Sequence, residues 1–224
     1  MAKTMIIAPG EGDTALALAG AAKAAGWTVV LARKQAGAEG TATTRPAAET
    51  SGFSSLPWNP SSYVSAGALA IGASSRGDVE AVVLISAPEP GDRSLFDGPP
   101  GSLASALEEA LTGPVWLARE MLRRFEIRKT GKLLALSVEV PMRPSGAPGE
   151  GAWTALVSSA FRGFGEGLFD RGRGAHWKAW GIADKSGKPS ALADFAIALL
   201  EEGKESKSGR WLPFTGKGGI FGIF

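Results

Sequence analysis

The order of the apolar runs limits this chain more than any other feature of its sequence. Met5 to Ala8 is a short apolar run that stops at Pro9-Gly10, as a buried strand does. Asp13 to Ala25 reads as a helix, with Asp13 or Thr14 as its N-cap and Gly26 closing it. Thr28 to Ala32 is a second β-rich run. Strand, helix and strand within about thirty residues form a βαβ unit, and such a crossover makes the two strands parallel.

The alternation continues to the end. Residues 35 to 62 are rich in Ala, Gly, Ser, Thr and Pro, with Leu56-Pro57-Trp58 as a short strand. Tyr63 to Ser74 is a small-residue helix, and Ala81 to Ile85 an unbroken apolar strand. Leu103 to Phe125 is a long helical pattern interrupted by Gly113-Pro114, and Lys132 to Val140 is a strand. Trp153 to Phe169 is a second long helix, with Leu156, Ala160, Phe164 and Phe169 at helical spacing. Trp177 to Ile182 reads as a strand, Ser190 to Glu202 as an amphipathic helix behind Pro189, and Arg210 to Phe214 as the last strand. The pattern predicts one α/β domain over residues 1–224, a Rossmann-like, doubly wound parallel sheet. A chain of 224 residues is long enough to give that sheet a full core.

Composition removes whole classes of chemistry. With no cysteine there is no disulfide, no thiolate catalysis and no cysteine-ligated metal, and with His176 as the one histidine no metal site is expected. A net charge of +2, from 24 basic and 22 acidic residues, argues against nucleic acid and anionic membranes as partners. The first apolar run is too short for a signal peptide or a spanning helix, so the cytoplasm is the expected compartment. Glu108-Glu109 and Glu201-Glu202 are neighbours on helices, do not face each other, and read as solvated faces. Arg171-Gly-Arg-Gly174 reads as a solvated basic turn.

Four segments, in order, resemble the short-chain dehydrogenase/reductase family over nearly the whole chain. Ile6 to Arg33 looks like that family's first βαβ unit. Asp78-Val-Glu-Ala-Val-Val-Leu-Ile-Ser-Ala-Pro88 looks like its fourth strand running into the Asn-Asn-Ala-Gly turn. Leu111-Thr-Gly-Pro-Val-Trp-Leu-Ala-Arg-Glu-Met-Leu122 with Gly131-Lys-Leu-Leu-Ala-Leu-Ser137 looks like the central helix and the strand bearing the catalytic serine. Ser208-Gly-Arg-Trp-Leu-Pro-Phe-Thr-Gly-Lys-Gly-Gly219 is similar to the closing strand and its Gly-Gly turn.

The resemblance implies a dinucleotide loop, Thr-Gly-x-x-x-Gly-x-Gly, whose glycines let the backbone approach a pyrophosphate resting on a helix N-terminus. Counted back from Gly26, its three glycine positions hold Pro9, Asp13 and Ala15. A carboxylate at Asp13 would cap the helix, occupy the positive end of its dipole and repel a pyrophosphate, and Glu11 would add to that. A self-capped turn that binds no cofactor is the expectation. Arg33 stands where members preferring NADP keep an arginine for the 2′-phosphate; it matters only if NADP binds, and reads here as a solvated surface arginine.

The family's chemistry needs a tyrosine acid/base, a lysine four residues on, a serine and an asparagine. In the same alignment these positions hold Thr154, Ser158, Ser137 and Ala110. The single tyrosine, Tyr63, lies far too early, and the helix from Trp153 to Phe169 contains no lysine. The long substrate lid before the penultimate helix is reduced to Ala183-Asp-Lys-Ser-Gly-Lys-Pro189. What the resemblance retains is assembly: the two long helices pair with a partner's copies, with Trp116, Phe161, Phe164 and Phe169 as contacts. The apolar tail with Ile220, Phe221 and Phe224 is expected against a neighbouring subunit. The expected function is a non-catalytic subunit joined as dimer or tetramer to a catalytically complete relative, in a hydroxyacyl-CoA or acyl-carrier dehydrogenase complex. The alternatives are an atypical NADP-dependent oxidoreductase acting alone and a homo-oligomer binding a small acyl or nucleotide ligand.

Overall fold

A computed structural model describes residues 3–34, 52–88, 100–139, 150–203 and 208–216. The strands are β1 (Lys3–Ala8), β2 (Thr28–Lys34), β3 (Ser54–Trp58), β4 (Asp78–Ser86), β5 (Lys132–Val138), β6 (Lys178–Asp184) and β7 (Trp211–Phe214). The helices are α1 (Gly12–Ala24), α2 (Tyr63–Ser74), α3 (Pro100–Leu107), α4 (Gly113–Arg128), α5 (Glu150–Gly172) and α6 (Pro189–Glu202), with a π turn (Glu108–Thr112) joining α3 to α4. One seven-stranded sheet runs β3-β2-β1-β4-β5-β6-β7, and every pairing is parallel. The strand order reverses between β1 and β4, which opens a crevice above their C-terminal ends.

Side-chain alternation sorts the core into two layers. Met5, Ile7, Val29, Leu31, Val83, Leu134 and Ile182 face α1 and α6. Ile6, Val30, Val82, Leu84, Leu133 and Ala135 face α2, α4 and α5. The strands have apolar residues on both faces because helices cover both, which is why they read as unbroken apolar runs.

The structure corrects several expectations. Asp13 lies in the first turn of α1 rather than at its cap; Glu11 is the N-cap, and its side chain makes no capping bond because it reaches across to β2. Gly113-Pro114 does not interrupt the long helix. Pro114 would set its ring against the Ala110 carbonyl, and the chain relieves this by widening into the π turn just before it. Gly113 serves a contact instead: a Cβ there would lie 2.6 Å from Pro60 Cβ and 2.7 Å from Trp58 Cζ2. Phe161 and Phe169, expected at a subunit interface, are fully buried against this subunit's own sheet. Ile220, Phe221 and Phe224 lie outside the described residues, and among the described residues no helix is long and apolar enough to cross a membrane.

Candidate functional site

The crevice is bounded by the turn from β1 into α1. The Ala8–Pro9 peptide is cis, and Gly10 then packs against the end of β2: its amide donates to the Ala32 carbonyl at 2.7 Å. A Cβ on Gly10 would stand 2.8 Å from Leu31 Cβ and 2.9 Å from the Ala32 backbone, so only glycine fits. Gly12 has φ +83°, a left-handed conformation that glycine adopts freely. Glu11 Oε1 accepts from the Lys34 backbone amide at 2.8 Å, and Lys34 Nζ pairs with Glu109 at 2.5 Å. The loop, β2 and the π turn are thus stitched together. Partial desolvation raises the Glu11 pKa, with Glu109 adding to it; the Lys34 amide and the charges of Arg33 and Lys34 pull the other way.

Asp13 is exposed at the positive end of α1, Pro9 is partly buried and Ala15 is fully buried beneath the helix. None of these three is a glycine, so the glycine-lined approach to a pyrophosphate is not built from them. Arg33, expected as a solvated arginine, is partly exposed, with its Nε closed off from water and without a hydrogen-bond partner among the described residues.

The residues that the resemblance sets at the family's catalytic positions lie on β5, α5 and the π turn. Ser137, at the end of β5, is fully buried, and its register partner on β4 is Ser86, 3% exposed. Both continue the alternation toward α4 and α5, and neither hydroxyl has a partner among the described residues. Ser158, on α5, also carries a buried hydroxyl without a partner among the described residues, one turn beyond the partly buried Thr154. Ala110, in the π turn, packs into a small apolar cluster with Ala106, Trp153 and Val157. Hydroxyls on Ser86, Ser137, Thr154 and Ser158 can donate and accept hydrogen bonds, but none takes up a proton near neutral pH.

Sequence reasoning missed the charged network beside these hydroxyls. Glu139, just past β5, pairs with Arg162 of α5 and with Lys185, just past β6, at 3.1 Å. Arg162 also lies over the Trp211 ring at 5.9 Å. No spacing in the chain signals a triad drawn from two loops and a helix. Asp184, 2% exposed, accepts the Ser186 amide at 2.8 Å, and Ser186 Oγ accepts the Lys188 amide at 3.1 Å. Two side-chain-closed turns therefore carry β6 straight into Pro189 of α6.

No protein-family model matches the sequence, and no curated protein matches it. Solved structures do. The chain is similar to a variant of the actinorhodin polyketide ketoreductase with NADPH, at TM-score 0.74 and 16% identity, covering 98% of each chain. It is similar to a 3-ketoacyl-(acyl-carrier-protein) reductase from Brucella melitensis complexed with NADH, at TM-score 0.74 and 16% identity, covering 96% of this chain and 97% of that one. It is also similar to a short-chain dehydrogenase from Rhodopseudomonas palustris, at TM-score 0.71 and 15% identity, covering 95% of this chain and 97% of that one. At these identities the shared property is the fold, a single Rossmann-like α/β domain of the short-chain dehydrogenase kind.

Proposed function

We propose that this chain is a short-chain dehydrogenase-like subunit that carries out no hydride transfer of its own and assembles with a catalytically complete relative. The observation that carries this reading is the content of α5. Thr154 and Ser158 stand where the resemblance puts the tyrosine and lysine, and the helix has neither residue anywhere along its length. Trp153 and Val157 close with Ala106 and Ala110 into an apolar contact where a proton relay would run. Acyl substrates of the complex, CoA- or carrier-bound, are suggested by the reductases that share the fold. The outer side of α5, with Leu156, Ser159, Gly163 and Gly167 exposed, is the proposed assembly face. Half-buried Phe164 borders it; Trp116 lies on the other flank, against Tyr63 of α2.

Calorimetric titration of the purified chain with NADH and NADPH, with solution mass recorded alongside, tests this reading. The expected result is no saturable binding and a mass above the monomer's 23.0 kDa. Co-purification from native cells of a relative carrying the Tyr-x-x-x-Lys pair is the second expected result, and its absence would count against the hetero-oligomer.

One observation favours a second reading. Partly exposed Arg33, at the C-terminal end of β2, carries a guanidinium with the chemistry to hold a phosphate. Micromolar binding of NADPH, lost in Arg33→Ala, would make the protein an atypical NADP-dependent oxidoreductase whose proton comes from water, Ser137 or a partner.

A further inference from the structure

We propose that the seam between α2 and α4 is a docking surface for an acidic, amphipathic helix of a partner protein. The inference is independent of whether a dinucleotide binds in the crevice.

The apolar part is set out along α2. Val64, Ala68 and Ile71 follow one another at the three-to-four-residue spacing by which one helix meets another, and all are exposed, Val64 at 78% and Ile71 at 63%. Ile127, near the end of α4, is 73% exposed and continues the stripe across the seam. Large aliphatic side chains left this open and aligned on neighbouring helices mark a surface that gains by being covered.

The charged part is set out along α4. Arg119 has no carboxylate partner among the described residues; it lies over the rings of Tyr63 and Trp116, at 5.4 and 5.9 Å. Arg123 and Arg124 share one carboxylate, that of Glu120, at 3.4 and 2.8 Å. Glu120 is 3% exposed and also accepts from Tyr63 Oη at 3.3 Å, so its charge is turned inward and does not oppose an incoming acid. Arg76, past the end of α2, donates to the Gly72 carbonyl at 2.7 Å and meets no carboxylate among the described residues. A cavity of about 150 Å³ opens at the end of the seam, walled by Ser74, Asp78, Met121, Arg124, Ile127 and Arg128, with room for one side chain of a partner; Asp78 pairs with Arg128 there at 3.5 Å, so the cationic part of the seam is Arg76, Arg119, Arg123 and Arg124.

This composition selects among occupants. A second copy placed symmetrically on this face would set guanidinium against guanidinium, which like-charge repulsion opposes. A nucleic acid would gain nothing from the exposed aliphatic stripe. A helix with leucine-like residues on one side and carboxylates along the adjoining side satisfies both halves, and the seam lies on the flank of α4 away from α5.

A fluorescein-labelled helical peptide of leucine and glutamate in heptad register, about eighteen residues long to span the seam, is the probe, followed by fluorescence anisotropy. A scrambled peptide of the same composition is the control. The expected result is saturable binding that is at least about tenfold weaker for the scrambled peptide and falls steeply with added salt. It should also be lost in Arg119→Glu/Arg123→Glu and in Ile71→Ser, with circular dichroism of each variant unchanged. Equal binding of both peptides, no binding, or binding indifferent to these variants overturns the proposal. Binding to vesicles containing anionic lipid with the same variant sensitivity, or concentration-dependent dimerisation abolished by Ile71→Ser, overturns it in favour of a membrane or a second copy.

Discussion

At the scale of single residues, the crevice is governed by contacts that look minor in the sequence. Gly10 touches the β2 backbone so closely that one methyl group has no place. Gly10→Ala should lower stability by about 1–3 kcal/mol, the usual cost of overpacking, and chemical denaturation would measure it. Glu11 gives a pH-dependent prediction. Its folded pKa is raised, chiefly by desolvation, so the stability it contributes is present below the unfolded carboxylate pKa of about 4.3 and lost as pH rises through the folded value. Glu11→Gln should therefore match the parent in acid and melt at a slightly higher temperature at neutral pH. The residues of the β1–α1 turn were legible in the chain; which of them caps the helix and what it reaches was not. Asp13 was expected to cap α1, yet the working carboxylate is Glu11, whose partner amide at Lys34 becomes a neighbour only through the β1–β2 pairing. In the same way Glu109 and Glu201, expected on solvated faces, hold Lys34 and Lys3, because charge pairing across the fold leaves no local pattern.

At the scale of elements, every strand and helix expected within the described residues is present, because burial on both faces of the sheet enforces apolar periodicity. Boundaries moved by a few residues in both directions, β5 ending at Val138 rather than Val140 and two elements growing outward. β4 begins at Asp78 rather than Ala81, and α5 runs from Glu150 to Gly172 rather than from Trp153 to Phe169, since the ends of elements project beyond the core and lose their apolar signature. The π turn was invisible, because a Gly-Pro pair has the same sequence whether it ends a helix or sits above a widened turn. Within α4, Glu120 is the residue to test. Burial pushes its pKa up, but Arg124 and Arg123 outweigh that and hold it below the ordinary value. Its stabilisation is complete above the unfolded pKa and disappears as pH falls through the lower folded one. Glu120→Gln should cost about 1–3 kcal/mol at neutral pH, with the gap closing below about pH 4 in thermal melts. For α5, Thr154→Tyr with Ser158→Lys should still yield no NADPH-dependent ketone reduction, because the β1–α1 turn remains stitched to β2. Turnover by that double variant would show that the turn admits a cofactor after all.

At the scale of the whole molecule, the parallel sheet makes a prediction about synthesis rather than chemistry. Of the seven strands β1 is made first, yet it lies inside the sheet, between β2 and β4. Its inner edge stays open until residues through Ser86 have left the ribosome, and β5, β6 and β7 can then add only in the order in which they are translated. With every neighbour parallel, no hairpin closes early, and each pairing waits for a full crossover. Chains arrested before Ser86 should expose β1 and bind holdase chaperones or aggregate, whereas chains arrested after β6 should resist protease. The nascent sheet is therefore most vulnerable while β1, an interior strand, still has an open edge, and that interval is set by the pace of translation.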